Sequence, residues 1–201
     1  MGAEMTSPAE SAELIRETFN ATAESCAANT DLTADAVRVR IARAYVQAAD
    51  EMAELQQHAN AATAARKASL QQQAFGTVGM TGDPVALVMS ARDAGERVAQ
   101  IDATDWQAAQ ALLDRAELNG DEVLARQVAA AAHNNGWSSV LDSFLGQRPD
   151  VATALNELTS MTNQSTQRHV FDAWQYLIPK PAQIASLDDW RLRSLAEQSA
   201  A

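Results

Sequence analysis

Apolar residues recur at spacings of three and four along most of this chain, which predicts helices nearly throughout. The first is announced by Ser7, Pro8 and Glu10: a serine N-cap, proline at the first helical position and glutamate closing the capping box. It is expected over about 8–28, with Ala12, Ile15, Phe19, Thr22, Ala23 and Cys26 as a narrow apolar stripe that needs a partner. Asn29 to Asp31 turn the chain. Thr33 then caps a second helix whose seam runs through Val37, Ile41, Ala44, Ala48, Met52, Leu55, Ala59 and Ala62. Unbroken over about 33–74, such a helix is roughly 63 Å long at about 1.5 Å per residue. So long an element either protrudes or packs against other subunits, and Val37, Ile41, Tyr45, Met52 and Leu55 are its expected interaction residues.

The stretch GTVGMTGDP follows, with Gly76, Gly79 and Gly82 ahead of Asp83 and Pro84. Three glycines so close together end a helix and form a flexible joint, while Asp83 and Pro84 begin the next helix. The spacing fits neither phosphate-binding glycine pattern, and no lysine accompanies it. The expected organisation is a helical arm over 1–75, a Gly-rich hinge over 76–83 and a helical body over 84–201.

Within that body, short helices alternate with clear stops. One runs from Pro84 to about Gln100 and a second from a capping box at Thr104 to Asn119-Gly120. A third spans Asp121 to Ala132 and ends at His133-Asn134-Asn135-Gly136-Trp137. That cluster of imidazole, amides and indole invites reading as a site. Its place at a helix end favours punctuation: a histidine in the last turn, a left-handed cap, and Trp137 opening the next apolar stripe with Val140, Leu141, Phe144 and Leu145. Further helices are expected from Pro149 to Met161, from Gln167 to Leu177 with Val170, Phe171, Trp174 and Leu177 inward, and from a Ser186 cap through Trp190 and Leu195. The fold class is therefore all-α, a long N-terminal helical hairpin followed by a compact bundle of about five to seven short helices.

Alanine supplies 43 of the 201 residues and aromatics only 5%, so the core must come from closely approaching helices rather than bulky layers. The formal charge of -11 repels phosphate backbones and anionic membrane surfaces. Only residues 33–75 are locally basic, through Arg38, Arg40, Arg43, Arg66 and Lys67, which are expected to solvate a helix or to pair with the acidic first segment. Nucleic-acid and membrane partners are not expected. A lone Cys26 excludes an internal disulfide and a multi-thiolate zinc site. The start MGAEMTSPAE lacks the basic and apolar regions of a signal peptide, and no run is long and apolar enough to span a bilayer, so a cytoplasmic or virion location is expected.

Candidate chemistry is sparse. His169 and Asp172 lie three apart, Glu54 and His58 four apart, and His133 beside a turn, without a nucleophile motif or a metal-ligand pattern around any of them. No cofactor, no metal and no catalytic residue are expected. The phrase LNGDEVLARQVAAAAHNNGW resembles the small-residue texture of tetratricopeptide-like helix pairs, yet it lacks their spaced Trp, Tyr and Pro positions and has no second copy. In style the chain resembles the small, acidic, Ala-rich helical components of tailed-phage virions. The reading is a non-enzymatic structural or assembly protein whose partners are itself or other assembly components, with a helical adaptor that binds a peptide or helix as the alternative.

Overall fold

The computed structural model describes residues 7–198, the side chains of 164–173 excepted. Among them the protein is all-helical: α1 (Pro8–Ala28), α2 (Ala34–Phe75), α3 (Pro84–Val98), α4 (Trp106–Asn119), α5 (Glu122–Asn135), α6 (Ser138–Leu145), α7 (Pro149–Gln175) and α8 (Asp189–Ala196). The capping box of α1 is present, Ser7 N donating to Glu10 at 2.7 Å and Glu10 N to Ser7 Oγ at 3.2 Å. Thr33 caps α2 through Ala36 N, and α2 is a single helix of 42 residues.

Three boundaries differ from expectation. Residues 149–175 form one helix rather than two: the polar run from Asn163 to Thr166 contains neither glycine nor proline, the residues most costly to a helix interior. The cap of α4 is Asp105, which accepts from Ala108 N, while Thr104 is engaged with Asp102. The cap of α8 is Asp188, accepting from Arg191 N, and not Ser186. In both cases a carboxylate nearer the helix takes the orphan backbone donors.

The chain divides into two compact units, Met1–Thr63 with Gln167–Ala201, and Ala64–Thr166. The division falls inside α2, where residues 61–66 are all exposed and bury nothing. The Gly-rich segment 76–83, expected as the boundary, instead lies inside the second unit, and the C-terminal residues expected in the body belong with α1.

In the second unit α5 is central, with α3, α4 and α6 packed around it. Its Ala125, Val128, Ala129 and Ala132 are wholly buried. Small side chains on that face let neighbouring helices approach closely, and Leu113, Val140 and Phe144 fill what remains. The end of α5 is punctuated as expected. Gly136 takes a left-handed conformation at φ 73°, which a side chain would strain. Trp137 is buried, and its Nε1–H donates to the Ala103 carbonyl at 2.8 Å. A second patch of the same unit joins Leu70 of α2 to Ala154, Leu155 and Leu158 of α7.

Candidate functional site

The α2 seam, read from sequence as an open interaction face, is largely covered by the chain itself. Ile41 and Met52 are closed off at 0% and 1% exposure. Val37, Tyr45 and Leu55 are half-buried. Met52 packs with Phe19 and Ile178, and Ile41 with Ala42, Ile184 and Leu192. Ile41 and Met52 are thus core positions. The expectation of an open face assigned residues 176–198 to another body, whereas their extended leg around Pro179 and Pro181 delivers apolar side chains to the seam.

The same segment engages two of the basic residues of α2. Arg38 Nε donates to the Gln183 carbonyl at 3.3 Å, and Arg43 donates to the carbonyls of Ala196 at 3.1 Å and Gln198 at 2.8 Å. From α1, Arg16 reaches the Gln175 carbonyl. Arg193 closes the set with Asp50 at 2.6 Å. Arg38 and Arg43 thus serve backbone carbonyls of the C-terminal segment, while Arg66 pairs with Glu157 at 2.7 Å. Burial raises the Tyr45 phenol above its ordinary value, partly offset by Lys180, which sits 5.9 Å over its ring.

Covering one side of the hairpin leaves the other open. A groove of about 320 Å³ between α1 and α2 is lined by Leu14, Ile15, Phe19, Ala44, Ala48 and Glu51, among others, and Leu14 is 62% exposed. A shallower groove of about 240 Å³ beside α8 holds Trp190 and Leu195 with Arg38 and Arg191. Trp190 is 75% exposed. Trp174 and Leu177, expected inward, are also mostly exposed. Val170 and Phe171 lie outside the described side chains, as do His169 and Asp172.

The second unit presents Val85, Val88 and Met89 on one exposed turn of α3, with Trp106 exposed at the start of α4. Its polar centre is an ion cluster. Arg148 meets Glu122 at 2.5 Å and Glu117 at 2.8 Å, and its guanidinium stacks 4.2 Å from the Phe144 ring centroid. Glu122 also pairs with Arg126 at 3.0 Å. Glu117 Oε1, though near Arg148, is not aligned to accept a hydrogen bond. Burial alone would raise the Glu122 carboxyl, but the hydrogen bonds from Arg148 and Arg126 outweigh it and hold the group below its ordinary value. Likewise burial would lower Arg148, and its bonds to Glu122 and Glu117 reverse this. All charges in the cluster are matched within hydrogen-bonding reach, so it fixes the joints between helices.

The glycines are placed as follows. Gly79 and Gly82 have left-handed φ values of 81° and 148°. Gly76 is not left-handed, but a Cβ there would come within 2.6 Å of the Gln72 carbonyl oxygen. Arg126 Nη1 donates to the carbonyls of Gln73 and Gly76 at 3.2 and 2.8 Å, so the end of α2 is capped by a cation that its dipole favours. The hinge role proposed for these glycines starts from a segment tied to α5 at its first residue.

Among the described residues, no cluster of His, Cys, Asp and Glu is arranged to hold a metal ion, and no helix is long and apolar enough to cross a membrane. No protein-family model matches the chain, and no curated protein or solved structure matches it either. The feature that sequence reasoning missed is the α1/α2 groove. Leu14 fell outside the stripe read from sequence, and that alone could have marked a second apolar edge on α1.

Proposed function

We propose that this protein is a non-enzymatic structural or assembly component that acts through helical packing surfaces, of the kind tailed-phage virions contain. The observation that carries the reading is the exposure of Trp106, Trp174 and Trp190, at 46%, 70% and 75%. Tryptophan is a costly residue to leave in water and is enriched where proteins meet. The α2 seam itself no longer supplies the argument, since the chain covers it.

Acrylamide quenching of tryptophan emission tests the proposal. In dilute solution the exposed indoles quench readily and Trp137 does not. As protein concentration rises, the accessible fraction falls if copies associate. An accessible fraction independent of concentration would contradict self-assembly. The exposed Val85, Val88 and Met89 turn of α3 supports the second reading, an adaptor that seats a partner helix. That reading predicts a monomer whose Trp106 emission alone responds to an added helical peptide.

A further inference from the structure

We infer that two copies of this chain exchange their C-terminal segments, residues 178–198 of each closing the α2 seam of the other, an interface that rests on the assembly reading above and gives it an occupant. The first unit is built from two pieces of chain, Met1–Thr63 and Gln167–Ala201, joined only through the residues of the second. Its seam is therefore filled by a segment that the hairpin does not carry with it. The surface that the hairpin offers to its own segment it offers equally to that of a second copy.

The segment travels as one piece. Lys180 Nζ donates to the Leu187 carbonyl at 3.1 Å and to Asp189 at 2.9 Å, and the backbone N–H groups of Ile184 and Leu187 donate to the carbonyls of Pro181 and Ile184 at 3.0 Å. Against α2, Ile184 and Leu192 pack on Ile41 and Ala42, Arg38 and Arg43 take backbone carbonyls, and Arg193 takes Asp50. Each of these contacts can be made identically between copies. The exchange thus needs no new charge match, although each copy carries a formal charge of -11. Its cost is the lost freedom of two copies held together, which a new contact must offset.

The hinge supplies that contact. α7 ends at Gln175, where the chain turns with Leu177 N donating to the Trp174 carbonyl at 3.2 Å. Arg16 fixes the root of the turn at the Gln175 carbonyl. Beyond it Pro179 and Pro181 hold the leg extended, over a groove of about 290 Å³ beside α1. Trp174 and Leu177 flank the turn, each more than half exposed. When the turn opens, residues 175–177 span at most about 10 Å, so the hinges of two exchanged copies lie close together. Their meeting covers the two apolar side chains that a closed copy leaves in water.

Two full-length variants test this, both with Cys26→Ser, one adding Ala27→Cys and the other Gln183→Cys. Ala27 and Gln183 line the same groove beneath the leg, and neither variant can form that cross-link within one copy. The two are mixed in urea, refolded together over a range of concentrations, oxidised and separated on a non-reducing gel, with circular dichroism to confirm the helical content of each. Sedimentation velocity of the wild type accompanies them. A mixed disulfide dimer forms, rising with concentration and at least about tenfold above that obtained when Ala111→Cys, exposed on α4, replaces Gln183→Cys. Adding Trp174→Ser to both variants lowers this yield several-fold, and an unchanged yield would overturn the hinge contact. A yield no higher than that of the Ala111→Cys control, in a protein whose mass still rises with concentration, overturns the exchange and leaves assembly to another surface. A wild type that stays at one copy at every concentration overturns self-assembly itself.

Discussion

Ile41 and Ile184 share one closed cluster, each with no exposed surface, although one belongs to α2 and the other to the C-terminal segment. That contact joins the two ends of the sequence into one unit. It predicts that Ile184→Ala destabilises the protein by about 2–5 kcal/mol, the range for truncating a buried isoleucine, and by a similar amount to Ile41→Ala. Urea denaturation followed by circular dichroism measures both. A loss within about 0.5 kcal/mol for Ile184→Ala, as at a surface position, would mean the segment is only loosely laid on α2.

The unit boundaries predict how fragments behave. A fragment of residues 64–166 contains Leu70, Ala74 and Phe75, which close its core, and it melts cooperatively. Residues 84–201 lack these three side chains and carry Ile178, Ile184 and Leu192 without their partners, so that fragment melts at lower temperature and less cooperatively. Thermal melts of the two fragments decide between the division inside α2 and a boundary at the Gly-rich segment. Equal, cooperative melts would favour the latter.

Arg148→Ala leaves Glu117 and Glu122 as neighbouring carboxylates, partly buried and without their shared cation. The expected cost is about 2–4 kcal/mol, below the full range for a fully buried pair because Glu122 retains some solvent and Arg126. Arg148→Lys recovers only part of it, since a point charge cannot bond both acids and stack on Phe144 as the planar guanidinium does. A loss no larger than that of an exposed ion pair would show that the cluster is ornamental to the fold.

Acid should weaken the same joint. The folded Glu122 carboxyl lies below its ordinary value of 4.5. Its contribution is therefore complete above that unfolded value and is lost as pH falls through the lower, folded one. Glu10, Asp102, Glu157 and Asp189 are also lowered but fully exposed, so solvent screening keeps their share small. Melting temperatures between about pH 7 and about pH 3 should fall mainly below about pH 4.5. Glu122→Gln, already uncharged, flattens that part of the profile.

Local signals in the sequence were legible at several helix ends where one residue type solves one backbone problem, though at Thr104 and Ser186 a nearer aspartate takes the cap. Ser7 with Glu10, Thr33, Asp83 and Gly136 mark their helix ends in the structure as their chemistry requires. HNNGW is punctuation for the same reason. What could not be read was pairing at long range. The seam of α2 and the stripe of residues 178–192 are each plain in sequence, but nothing local says that they meet. Spacing alone also made Trp174 and Leu177 look inward, because periodicity identifies a stripe and not what covers it. The open groove was hidden for the converse reason: Leu14 and Thr18 lie off the stripe read on α1, and that edge reads as solvent-facing.

If this chain works by associating through its exposed helical surfaces, as proposed, its mass in solution is the most direct test. Sedimentation equilibrium of the full chain over a wide concentration range should give a weight-average mass that climbs above the 21.5 kDa of a single copy. A mass that holds at one copy throughout would contradict the account.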